Sequence, residues 1–121
     1  MNTHLGTSFI DNIPSIKHIS QRIAEDNYAS KFATHLLEQI NNFNNLLGDD
    51  FEVGLNLANF GHSIQFPVVA IGHIDPSLII FYGVIDESPC ELIQHVSQLN
   101  FALTSCKRKD STLPKNPIGF R

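Results

Sequence analysis

The 121-residue chain is poor in cysteine and in basic residues, and it has no long hydrophobic run. Without ~18 consecutive apolar residues it offers no helix to cross a membrane. The opening MNTHLGTSFIDNIP has neither the basic start nor the continuous apolar stretch of a secretory leader. A cytoplasmic location with no membrane partner is therefore expected. Cys90 and Cys106, the only two cysteines, sit on a segment whose pattern reads as helical, and sixteen residues at ~1.5 Å each hold them about 24 Å apart. A disulfide tolerates no more than ~7 Å, so both are expected to be free thiols, as in a reducing compartment. Eight basic residues face twelve acidic ones, for a formal net charge of -4, so the broad basic face of a nucleic-acid binder is missing. A small anionic ligand fits this balance better than a duplex.

The usual reaction centres are missing too. Six histidines are present, His4, His18, His35, His62, His73 and His95, yet none pairs with another His or Cys at ligand spacing such as H-x-x-x-H. No metal and no cofactor are expected. There is no G-x-S-x-G, and IGHIDPS and FYGVID carry one glycine each, too few for a phosphate-cradling loop. The expectation is a protein that is not an enzyme. A hydrolase of nucleotide signals using His95 or His73 as general base is the rival in that class.

What is present is a 42% hydrophobic content, enough for one ordinary core. Residues 1–13 are read as a flexible N-terminus and 14–121 as a single domain. Asn12 and Pro14 suit a helix start, with Ile16, Ile19 and Ile23 recurring at three and four residues. A second helix, capped by Asp26 or Asn27, carries Phe32, Leu36, Ile40, Phe43 and Leu47 on one face and ends at Gly48. From Phe51 the period becomes two: Phe51, Val53, Leu55 and Leu57 alternate with Glu52, Gly54 and Asn56. SIQFPVVAI is a second strand, an edge or one broken by a bulge near Pro67, which lacks a backbone donor. Leu78 to Ile85 is a third strand, apolar on both faces, so it expects cover on both sides. The tail or a second subunit must supply the other layer, and a homo-oligomer is expected.

SPCELIQHVSQLNFALTSCKRK predicts a C-terminal helix. Ser88 and Glu91 form a capping box around Pro89, and Leu92, Val96, Leu99, Leu103 and Cys106 recur at helical spacing. A strand from Cys90 to Val96 is the alternative. The fold expected is α+β in two layers, with N-terminal helices, a three-stranded antiparallel sheet, this helix and an extended tail.

Five of the eight basic residues fall in KRKDSTLPKNPIGFR: Lys107, Arg108, Lys109, Lys115 and Arg121. They are the only concentrated positive charge. Gln94, Gln98 and Lys109 share the polar face of the expected helix, and Phe81 and Tyr82 offer flat faces on the third strand. Aromatic faces that stack a base, beside cations that hold phosphate, would capture a nucleotide without converting it. The alternative is a homo-oligomeric protein-interaction module without a small ligand, its basic end docking an acidic partner.

The strings DPSLIIFYGVIDESPCELIQHVSQLNFAL and PKNPIGF resemble a small family of bacterial and phage proteins with no assigned activity, which reads roughly NPSLI-FYG, ELIQHVSQ and P-RPIGF. The resemblance covers about residues 28–121. Asp75 stands where that family has Asn, and Asn116 where it has a basic residue, which leaves this tail less cationic. More distantly the chain resembles the phage Thoeris anti-defence family of the first type. Those proteins are sponges: they sequester the cyclic ADP-ribose isomer made by bacterial TIR immune enzymes, uncleaved, at sites shared between subunits. The resemblance implies that Phe81 stacks the adenine and that Arg108, with Arg22 a weaker match, contacts the phosphates.

Overall fold

The computed structural model describes residues 28–59 and 62–121. The flexible N-terminus expected over residues 1–13, the first expected helix, and Arg22 lie outside them. The described residues form one α-helix, α1 (Ala29–Leu46), and six strands: β1 (Phe51–Asn59), β2 (His62–Ile74), β3 (Leu78–Ile85), β4 (Ser88–His95), β5 (Ala102–Lys107) and β6 (Gly119–Phe120). The sheet runs β4-β3-β2-β1-β5, every neighbour antiparallel, and β6 adds to β2 in parallel.

This corrects the expected three-stranded sheet with its C-terminal helix. Residues 88–107 form β4, a short 3-10 turn (Val96–Gln98) and β5 instead. The physical cause lies one step upstream. Asp86 and Glu87 both adopt positive φ, 50° and 67°, and close a two-residue hairpin in which Ile85 pairs with Ser88. Such a turn matches the twist of two antiparallel strands and sends the chain straight back along β3. Pro89 then faces solvent on an edge strand, where its missing N–H costs nothing. In β4, Cys90, Leu92 and Gln94 are half-buried while Glu91, Ile93 and His95 are exposed, so the two-residue period decides the structure. Cys90 and Cys106 are indeed free, for a different reason: they lie on the first and last strands of the sheet, four spacings of ~4.8 Å apart.

β3 covers the expected Leu78–Ile85, and β2 carries the expected irregularity, a shift of register between Val68 and Ala70. β2 is not an edge, however. It pairs with β1 through Pro67 and with β3 from Val68 onward. Pro67, which has no N–H to give, thus stands where β2 changes partners. Gly83 is required opposite this point, because a Cβ there would collide with the Phe66 ring and the Pro67 carbonyl.

The helix packs on one face of the sheet, against Val53, Leu55, Phe66, Val68, Ile71, Ile79 and Phe81. Its buried centre line is Ala29, Ala33, Ile40 and Asn44, and the larger Phe32, Leu36 and Phe43 flank it. Small residues on that line let the helix approach the strands closely. Its first turn is held from elsewhere: Asp75 Oδ1 accepts from Ser30 N at 2.8 Å, and the Pro76 carbonyl accepts from Ala29 N at 2.8 Å. Tyr28, the residue at the cap, contributes no side-chain bond. Gly48 is not in the left-handed region, so the helix end is not closed by a glycine cap.

Asp75→Ala should remove one N-terminal acceptor from α1 and cost about 1 kcal/mol. A thermal melt of the variant is expected to fall by several degrees, and an unchanged melting point would remove Asp75 from the helix cap.

Candidate functional site

The site is built by the tail, which folds back over the end of α1. Asn41 grips the tail backbone in both directions: its Nδ2 donates to the Ile118 carbonyl and its Oδ1 accepts from Ile118 N, each at 2.9 Å. Ile118 is thereby buried in the core. Asn44, the buried polar residue of the helix, accepts from Val53 N through Oδ1 at 3.0 Å and so ties α1 to β1. Lys115 Nζ donates to the carbonyls of Asn44 (2.8 Å) and Leu47 (3.1 Å). These oxygens belong to the end of a helix that has no basic residue in its own last turn. A cation placed there satisfies orphan carbonyls and suits the helix dipole.

Arg108, just past β5, bridges the other side. Its Nη1 donates to Asp49 O and its Nη2 to Leu113 O, both at 2.7 Å, while Arg108 N donates to Asp50 O at 2.8 Å. Between these anchors the chain turns at Asp110, whose carboxylate accepts from the hydroxyl and the N–H of Thr112. Those two bonds, the hydroxyl first, hold the Asp110 carboxyl below its usual range.

The tail roofs a cleft of about 390 Å³, whose lining includes Glu52, Val69, Arg108, Leu113, Lys115 and Asn116. Arg108 commits two of its five N–H groups and Lys115 two of its three. Among the described residues no further acceptor takes the rest. The lining thus includes two immobilised cations, two asparagines (Asn44 and Asn116) and one carboxylate, with apolar Val69 and Leu113 half-exposed.

The other expected site residues are scattered. Phe81 is fully buried between sheet and helix, edge-on to Phe101 with centroids 5.0 Å apart, so neither of its faces is open to a ligand. Tyr82 points to the opposite side of the sheet and lies beneath the Arg121 guanidinium, 4.8 Å from the ring centre. Gln94 is half-buried on β4 and Gln98 exposed on the 3-10 turn; with no helix there, they do not share a face with Lys109. Lys109 is exposed and reaches Glu87 at 3.4 Å. Of the expected site residues that are described, only Arg108 lines the cleft. Lys115, counted in the sequence as one of the tail's charges, emerges as its partner. The signal for it was the absence of a cation at the end of α1.

Among the described residues, no group of three or more His, Cys, Asp or Glu is placed to hold a metal, and no helix is long and apolar enough to cross a membrane. Burial pushes the Cys90 thiol up, away from the thiolate a nucleophile needs.

Fold and cleft together define an antiparallel sheet with a helix on one face, clasped by its own C-terminal tail. Residues 21–121 match the family described as "Family of unknown function (DUF6173)", and the chain belongs to that family. No curated protein and no solved structure matches the chain.

Arg108→Lys keeps the charge but replaces a planar fork with a single donor point that cannot span the Asp49 and Leu113 carbonyls. The expected cost is about 1–2 kcal/mol in a denaturant titration. A variant as stable as the parent would show that the fork is not what joins the tail to the 49–50 turn.

Proposed function

We propose that the protein is a non-enzymatic binding protein of the cytoplasm that sequesters a small phosphate-bearing signal, a cyclic ADP-ribose isomer or related cyclic nucleotide, and so counteracts bacterial anti-phage defence. The observation that carries this reading is the pair of cations, Arg108 and Lys115, fixed by backbone carbonyls in one cleft with donors to spare. Cations that are already immobilised lose little entropy on meeting a phosphate, which favours tight and slowly released capture. Among the described residues the lining holds no His, Cys or Ser, and Glu52 is its one carboxylate. The resemblance to the Thoeris anti-defence sponges supports the same chemistry and supplies the ligand class.

Phe81 is enclosed by the core and does not stack the base. The apolar rim, Val69 and Leu113, suits a second copy of the chain closing over the ligand, so the sequestering form is a homo-oligomer.

The enclosure of Phe81 also favours a second reading, a homo-oligomeric interaction module in which the tail docks a protein partner and takes no small ligand. A thermal-shift series separates the two. The pure protein is heated with cyclic ADP-ribose isomers, cyclic di- and trinucleotides, ADP-ribose and phosphate. A ligand at about one hundred times its Kd adds ~2.7 kcal/mol and raises the melting point by several degrees. Sequestration predicts such a shift with one cyclic nucleotide, its abolition in Arg108→Ala, and recovery of the nucleotide intact after denaturation. No shift across the series supports the interaction module, and recovery of a cleaved product supports a hydrolase.

A further inference from the structure

β4 is an outer strand of the sheet, and its hydrogen bonding fixes which of its groups face outward. Val96 N donates to Ser77 O at 2.8 Å, and these two residues continue the register in which His95 opposes Leu78. Bonds to a neighbouring antiparallel strand fall on alternate residues. Gln94, Leu92 and Cys90 are therefore the residues that bond β3, and Glu91, Ile93 and His95 turn their N–H and C=O groups away from it. Pro89, which has no N–H, faces outward in the same series. Among the described residues no strand pairs with that edge.

The side chains of Glu91, Ile93 and His95 are exposed and lie on one face. Their order, acid then isoleucine then imidazole, is self-complementary. A two-fold axis at Ile93, perpendicular to the sheet, sets Ile93 against the partner's Ile93, and it sets Glu91 against the partner's His95 on either side. His95 is prepared for this: its Nδ1 accepts from Ser97 N at 3.1 Å, so the neutral ring carries its proton on Nε2, which can donate to a carboxylate. In the same register every outward N–H of the three residues meets an outward carbonyl. Moving the axis to Leu92 or Gln94 sets Ile93 against Glu91 or His95 and loses both matches. Ile93 also lies beside Ile80 of β3, so the pairing joins two such rows into one apolar band across the axis. The opposite edge is not equivalent. In β5 the Ser105 carbonyl already accepts from Gln65 Nε2 at 3.2 Å, and the strand has no acidic residue to set against Lys107.

We infer that β4 is a dimerisation edge, pairing antiparallel with β4 of a second copy of this chain in the register that sets Ile93 on Ile93 and Glu91 on His95. The two sheets then run on as one, and the open template of an edge strand is closed. No residue of β4 lines the cleft, so the pairing stands whatever the cleft holds.

Sedimentation of the full chain tests this. The parent should run as a dimer or an even-numbered assembly, and Ile93→Lys, which puts like charges together on the axis, should halve the sedimenting mass. Ile93 is 54% exposed, so the change should leave the protomer folded. Glu91→Lys should raise the dissociation constant by about tenfold, because each dimer holds that pair twice. Adding His95→Glu sets opposite charges against each other again and should bring the constant back to within about threefold of the parent. A monomeric parent, an unchanged mass for Ile93→Lys, or no recovery with His95→Glu would overturn the inference. If a variant melts early, crosslinking takes its place. Opposed residues of a hydrogen-bonded pair have Cα atoms ~5.5 Å apart, within disulfide reach. With Cys90 and Cys106 changed to Ser, Ile93→Cys should oxidise to a linked dimer at least about tenfold faster than Leu46→Cys, which is 84% exposed on α1. Equal rates would overturn the pairing.

Discussion

Both ends of α1 are satisfied by residues far away in the chain, and the rest of the structure depends on that. Asp75 and Pro76, at the turn between β2 and β3, accept from its first N–H groups; Lys115, in the tail, donates to its last carbonyls. A helix of 18 residues whose own ends carry no charged cap is marginal in isolation. Here the sheet and the tail must be in place for the helix to be complete, so the three parts stabilise one another. Asn41 and Asn44 extend the same logic along the last turns of the helix, where side-chain amides stand in for strand partners of Ile118 and Val53.

The cationic cleft is a by-product of this clasp. Arg108 and Lys115 are where they are because carbonyls at the helix end, the 49–50 turn and the tail need donors. Guanidinium and ammonium groups held by neutral acceptors keep their charge and some of their N–H groups, which is the state a phosphate would meet. Under the proposed function, structure and ligand capture would draw on the same two side chains, and a substitution at either must be read through stability as well as affinity.

How much was visible in the sequence follows from which interactions are local. The helix over residues 29–46, β1 and β3 were legible, because each shows its burial period within one segment. Residues 88–106 were not, because two periods coexist there: Leu92, Val96, Leu99 and Leu103 fit a helix, while Cys90, Leu92, Gln94 and Val96 fit a strand. The deciding feature, positive φ at Asp86 and Glu87, carries no Asn-Gly signature. Arg108 was legible as part of an isolated basic stretch. Lys115's role was not, since it is a cap supplied across 71 residues of chain. Phe81 was misassigned because a strand apolar on both sides does not say which side the helix takes.

The cleft exists only if the tail is docked, and amide hydrogen exchange reads that docking residue by residue. Ile118 N–H donates to Asn41 Oδ1 and Arg121 N–H to the Ile71 carbonyl. Both should exchange slowly, Ile118 approaching the protection of the buried Val53 amide that Asn44 accepts. Exchange of Ile118 and Arg121 at the rate of an unstructured peptide, with Val53 still protected, would mean that the tail is not docked and that the cleft does not exist.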